Sequence, residues 1–189
     1  MKQLTQDQID WSYQYLENWN LNSEGKVDVN GDVHLDQKKF KRFPVSFGTV
    51  TGYFACSRCA SLESLEGAPE TVNGNFNCYN CTSLISLEGA PETVKGSFNC
   101  DKCKSLESLH GAPKTVSVNF TCEKCTSLKT LEGAPKTLGE IFYCRYCTSL
   151  PAVQHDIIDQ YNDDKITWEE AYKILHTPVL LQAKDLGIL

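Results

Sequence analysis

Phe76 to Pro91 reads FNCYNCTSLISLEGAP, and this stretch returns with small changes every 22 residues. Copies begin at Phe54, Phe76, Phe98, Phe120 and Phe142. Aligned on them, Cys56, Cys78, Cys100, Cys122 and Cys144 form one column, and Cys59, Cys81, Cys103, Cys125 and Cys147 a second. These two columns hold all ten cysteines of the 189-residue chain. Leu62, Leu84, Leu106, Leu128 and Leu150 form a third. A fixed period of this size marks a solenoid, in which no unit buries its apolar side alone and stacked neighbours share one core. Within a unit, Phe-x-Cys alternates with period two. That predicts a short strand with Phe and Cys inward and the residue between them outward. Gly-Ala-Pro follows the second Leu in the first four units and predicts a tight turn with an extended Ala. The return leg has no room for a long helix, so irregular or 3₁₀ structure is expected there.

Outward from this array, Val27 to Phe47 reads as an irregular first unit. Val33 and Leu35 take the Phe and first Cys places, Phe40 and Phe43 take the leucine places, and Val50 anticipates Val72 and Val94. Before it, Thr5 and Gln8 form a capping box that predicts a helix from Gln6 to about Asn18, with Ile9, Tyr13 and Leu16 on one face. After Leu150 the repeat stops. Pro151 suits a first helical position and opens a helix to about Tyr161. Thr167 and Glu170 form a second capping box, ahead of a helix patterned by Trp168, Ala171, Tyr172 and Leu175. Val179 to Leu186 reads as a third short helix, and Leu186 to Leu189 as an apolar tail suited to dimerisation. The expected organisation is a helical N-terminal cap over 1–26, an array of about six units over 27–150, and a helical C-terminal cap over 151–189.

Phe76-x-Cys78-x-x-Cys81 resembles the L-x-L-x-x-N/C core of a leucine-rich repeat. CTSLISLEGAPETVKGSF resembles the BspA-like leucine-rich repeat family of bacteria and tailed phages. The likeness covers Val27 to Val153. It implies a leucine-rich-repeat solenoid with short parallel strands on a concave face and an irregular or 3₁₀ convex side. Val118 and Glu140 depart from the turn glycines Gly52, Gly74 and Gly96.

Composition narrows the function. The formal net charge of -6 is mild, with both signs spread along the chain. That argues against a nucleic-acid partner, which needs a basic face to replace counterions. The N-terminus has no apolar signal-peptide core, and the apolar cluster near Val179 is far too short to span a bilayer. A cytoplasmic location is expected, and in a reducing compartment the cysteines are thiols or metal ligands rather than disulfides.

Five C-x-x-C pairs raise the question of zinc, which takes four thiolates at a tetrahedral centre. An odd number of pairs does not divide into such sites. The register predicts instead that the first cysteine packs as a small hydrophobe and that the second satisfies backbone groups of the turn, where the family often has Asn. Redox use needs an exposed, low-pKa thiolate at a helix N-terminus, and no helix follows these motifs. Asp159, Asp163 and Glu170 fall at calcium-loop spacing, but Tyr161 and Asp164 occupy positions that want a ligand and a Gly. His155, beside Asp156 and Asp159, reads as a solvated residue. The histidines form no nucleophile motif, and the chain carries no Gly-rich phosphate loop. No catalytic residue, metal ligand or cofactor is therefore assigned.

The remaining signal lies in columns that vary from unit to unit, because stacking does not dictate them. Tyr79, Asn80, Asp101, Lys102, Glu123, Lys124, Tyr143, Arg145 and Tyr146 are expected to face outward on the concave side and to contact a protein partner there, aromatic and Arg side chains being the usual interface anchors. The leading reading is a non-catalytic protein-interaction module, a phage or mobile-element protein that binds and inhibits a host defence protein. The alternative is a surface or virion adhesin that binds a receptor or glycan. A monomer or a homodimer through the C-terminal helices is expected.

Overall fold

The computed structural model describes residues 3–177. In chain order, α1 (Gln6–Tyr15) is followed by β1 (Trp19–Leu21), β2 (Val27–Val29), β3 (Val33–His34), β4 (Phe47–Val50) and β5 (Phe54–Ala55). The regular coils add β6 (Thr71–Val72), β7 (Phe76–Asn77), β8 (Thr93–Val94), β9 (Phe98–Asn99), β10 (Thr115–Val116), β11 (Phe120–Thr121), β12 (Thr137–Leu138) and β13 (Phe142–Tyr143). Helices α2 (Ala152–Asn162) and α3 (Trp168–Leu175) come last. The predicted third helix, Val179 to Leu186, and the apolar tail lie outside the described residues.

The chain winds into a β-solenoid of about five turns, with parallel strands and a helix or helices at each end. Each turn gives one strand to each of two sheets. The Phe sheet contains β3, β5, β7, β9, β11 and β13, all parallel; from β5 on the register is 22 residues, so that Phe54 faces Phe76, and Phe76 faces Phe98, while Val33 of β3 faces Phe54. The second sheet contains β2, β4, β6, β8, β10 and β12, with β1 antiparallel at its edge; Thr-Val pairs lie in β4, β6, β8 and β10, and Thr137-Leu138 takes their place in β12. This second sheet corrects the expectation of an irregular or 3₁₀ return leg. Thr and Val are β-branched and fit a pleated, half-buried surface, and the Val of each pair is buried. The Ser-Leu and Gly-Ala-Pro legs between the sheets do lack regular structure.

The core is a set of ladders. The rings of Phe54, Phe76, Phe98, Phe120 and Phe142 lie 5.0–5.2 Å apart and nearly parallel. Each ring is fully buried, as are the paired leucines beside it, such as Leu84 and Leu87. At the Gly-Ala-Pro turn, Gly111 has φ +84°, and a Cβ there would fall 2.4 Å from Glu88 Cα of the preceding coil. A glycine supplies both the left-handed backbone and the close approach.

Each end of this core is closed differently. At the N-terminus, Phe43 and Phe47 meet Phe54 edge-on, at 5.5 and 5.2 Å. Trp11 packs edge-on against Phe47, and Gln8 Nε2 donates to Pro44 O at 2.8 Å. The capping box of Thr5 and Gln8 forms as expected, but α1 ends at Tyr15 and its inward face differs from the one predicted. Tyr13 is 76% exposed, whereas Ser12 is fully buried, its hydroxyl donating to Gln8 O at 2.8 Å. A small residue there lets the helix approach the first coil closely. Trp19 and Leu21 belong to β1.

At the C-terminus, side chains of α2 and α3 take the places a further coil would fill. In the array, Leu65 N, Leu87 N and Leu109 N donate to Glu88, His110 and Glu132 carbonyls of the next coil. Leu131 N has no such coil ahead and donates to the buried Gln154 Oε1 at 2.8 Å. Phe120 N donates to Ile141 O, and Phe142 N donates instead to Asn162 Oδ1 at 3.2 Å, while Asn162 Nδ2 returns a bond to Phe142 O. The Trp168 ring stacks on Phe142 at 5.4 Å and continues the Phe ladder, its Nε1 donating to Pro135 O. Pro151 is the residue before α2 rather than its first helical residue, and Thr167 and Glu170 cap α3 as expected.

Candidate interaction face

The two cysteine columns have distinct places in the ladder. All ten cysteines are unpaired and buried. The thiols of Cys59, Cys81, Cys103, Cys125 and Cys147 donate to the carbonyls of Leu35, Cys56, Cys78, Cys100 and Cys122 in the preceding coil, at 3.0–3.3 Å. The second cysteine thus satisfies a backbone group of the turn. Among the described residues, no three His, Cys, Asp or Glu side chains converge as a ligand set. Glu170 and Asp163, at calcium-loop spacing, are engaged elsewhere: Glu170 Oε2 accepts from Thr167 N at 2.8 Å, and Asp163 pairs with Lys165 at 3.0 Å.

Burial pushes the Cys78, Cys100 and Cys122 thiols well above their ordinary range. The unfolded chain releases these protons near pH 8.5 and the folded chain keeps them, so stability is full below that pH and falls as pH rises. The slope is about 1.4 kcal/mol per pH unit for each thiol. A urea midpoint at about pH 9.5 should lie clearly below that at about pH 7.5. An unchanged midpoint would mean that the folded chain ionises these thiols as readily as the unfolded one.

His155 is not the solvated residue the sequence suggests. Its Nε2 sits 3.3 Å from Cys147 O and its Nδ1 3.8 Å from Cys144 Sγ. The carbonyl requires a proton on Nε2, which leaves Nδ1 to accept from the Cys144 thiol. Burial, then Cys147, Asp159 and Glu123, push that thiol up to about 12. A Cys–His nucleophile needs the thiolate, and this surrounding holds the neutral form.

The expected partner residues fall at the outer edge of the Phe sheet and at the corner that follows it. The corner residue of every coil has a left-handed backbone: Gln37, Arg58, Asn80, Lys102, Lys124 and Tyr146 have φ of 58–62°. That conformation turns their N–H groups toward the next coil. Lys102 N donates to Glu123 O, and Lys124 N to Arg145 O, each at 2.8 Å. Asn tolerates this region, whereas larger side chains are held there at some cost. Tyr79 is half-buried between the Arg58 guanidinium, 6.0 Å from its ring centre, and the Lys102 ammonium at 4.9 Å. Lys102 also donates to the Tyr79 hydroxyl. Lys124 lies 5.4 Å over the ring of Tyr146, which is 66% exposed. Arg145 is exposed and Tyr143 half-buried.

Several varying columns do carry stacking after all. Asn75 Oδ1, Ser97 Oγ and Asn119 Oδ1 accept from the backbone N–H groups of Ser97, Asn119 and Ile141 in the next coil. Asp101 Oδ1 accepts from Glu123 N at 2.7 Å. Burial raises the Asp101 carboxyl, and that N–H works against the rise. Asp101 is therefore bound into the array, while Lys124, Arg145 and Tyr146 project from it.

Comparisons with protein-family models, with curated proteins and with solved structures return no match. No helix among the described residues is long and apolar enough to cross a membrane.

Proposed function

We propose that this chain is a non-catalytic protein-interaction module of leucine-rich-repeat type, whose partner contacts the corner and outer Phe-sheet edge of the last two coils. The observation that carries this reading is Tyr146. It is 66% exposed on a backbone with φ 62°, a position that Asn80 fills with a residue suited to it. Nothing in the stacking calls for an aromatic there. Beside it stands Arg145, exposed and without an ion pair among the described residues. Aromatic and Arg side chains on a rigid support are the usual anchors of an interface. The resemblance to repeat proteins of bacteria and tailed phages supports a host-cell protein as the partner, inhibited by occupancy in the cytoplasm.

The test compares capture from host lysate by the wild-type chain, by a Tyr146→Asn, Arg145→Ala double variant, and by Lys114→Ala. Lys114 is exposed and paired with Glu92 at 2.6 Å, away from the corner. The double variant should lose about 2 kcal/mol or more of binding, roughly thirtyfold, with an unchanged melting temperature. Lys114→Ala should bind as wild type. Equal capture by all three would remove the corner from consideration.

A further inference from the structure

A depression of about 400 Å³ opens on the outer side of the first coils, well away from Arg145 and Tyr146 in sequence, and is bordered by Asp36, Tyr53, Arg58, Asn77, Tyr79 and Asn99. Small-molecule sites of this size are mostly apolar, with a few polar groups for orientation. This one reverses that balance. Its charged lining residues are Asp36 and Arg58, one of each sign, so a neutral ligand suits it better than an ion. Its inner groups are locked. Asn77 Oδ1 accepts from Tyr79 N at 3.0 Å, and Asn77 Nδ2 donates to the Tyr53 hydroxyl at 2.8 Å. Asp36 Oδ1 accepts from Ser57 N at 2.7 Å, and Asn99 Oδ1 from Asp101 N at 2.9 Å.

Asp36, Asn99 and Tyr53 each keep a second valence unused among the described residues. Asp36 has its other carboxylate oxygen to accept with. Asn99 Nδ2, the Tyr53 hydroxyl proton and the Arg58 guanidinium remain to donate. Burial raises the Tyr53 phenol, which keeps that proton in place at neutral pH. Three donors and one acceptor therefore stand on a rigid rim that also carries Tyr53 and Tyr79. A hydroxyl both donates and accepts, so a ring bearing hydroxyls on successive carbons can satisfy such a rim, while its C–H groups pack against the Tyr53 side chain, the Tyr79 ring being flanked already by Arg58 and Lys102. The lining offers no apolar floor for the buried side chain that anchors a peptide. We propose that this depression binds a neutral saccharide segment, independently of the protein-binding corner.

The experiment titrates maltotriose, cellotriose, mannotriose and triacetylchitotriose separately into the isotopically labelled chain, with a Glu-rich hexapeptide alongside. Amide shifts are followed to about 10 mM ligand, which reaches affinities in the millimolar range. At least one trisaccharide should shift the amides of Ser57, Asn77 and Asn99. Asn99→Asp keeps the acceptor for Asp101 N–H and replaces the amide donor with a second, negatively charged oxygen. Arg58→Asn suits the left-handed backbone and removes the guanidinium. Each should weaken that binding by about tenfold, the scale of one lost hydrogen bond to a fixed polar group. Arg145→Ala with Tyr146→Asn should leave it unchanged, which separates this site from the proposed protein interface. No shift with any trisaccharide overturns the proposal. So does binding that both Asn99→Asp and Arg58→Asn leave intact, and so does a response to the acidic peptide alone.

Discussion

Replacing Phe98 with alanine should lower the stability of the fold by about 3–5 kcal/mol. Phe98 is fully buried, and its ring lies 5.2 Å from those of both Phe76 and Phe120. The substitution removes two stacked pairs, each worth about 0.5–1.5 kcal/mol beyond area, and leaves a hole in mid-ladder. A solenoid cannot redistribute that loss, because each coil touches only its neighbours. The hole should also split the cooperative unit, so the urea transition should broaden as well as shift. Phe98→Leu keeps most of the volume and serves as the comparison, with a cost well under that of alanine. Equal melting of wild type and Phe98→Ala would take Phe98 out of the core.

Trp168→Ala should cost a similar amount, about 3–5 kcal/mol, although Trp168 lies outside the repeats. The indole covers Phe142 and donates to Pro135 O. Without it the last ring of the ladder faces solvent and the α3 contact is lost. Gln154→Ala should add to this by leaving Leu131 N buried without an acceptor, at about 1–3 kcal/mol. The readout is thermal melting together with light scattering, since an uncovered solenoid end exposes apolar surface and pairable backbone. A Trp168→Ala chain that melts and scatters like wild type would show that α3 is an appendage and not a seal.

Much of this architecture could be read from the residues. The Phe, Cys and Leu columns gave the register, and Thr5-Gln8 and Thr167-Glu170 gave the starts of two helices. The Thr-Val sheet was hidden because two-residue strands are too short to show alternation. The left-handed corner was hidden because Arg58, Lys102, Lys124 and Tyr146 are not the Gly or Asn that advertise such a backbone; only Asn80 hints at it. The inter-coil acceptors do have a signal in the residues: Asp32, Asn75, Ser97 and Asn119 carry short oxygen-bearing side chains in one column, which Tyr53 interrupts and Ile141 ends. His155 gave none, since its contacts with Cys144 and Cys147 exist only once α2 lies across the last coil.

Gln154, Asn162 and Trp168 together read no feature of the array except its end: one leucine amide, one phenylalanine peptide unit, one ring face and one proline carbonyl. Every regular coil presents that same set of groups. The terminator is thus indifferent to how many coils precede it, and the number of repeats is free to drift. A 22-residue unit duplicated or deleted within the array would deliver an equivalent last coil to the same three side chains. The outer face would lengthen or shorten by one step, changing what it can reach while the closure at its end stays the same.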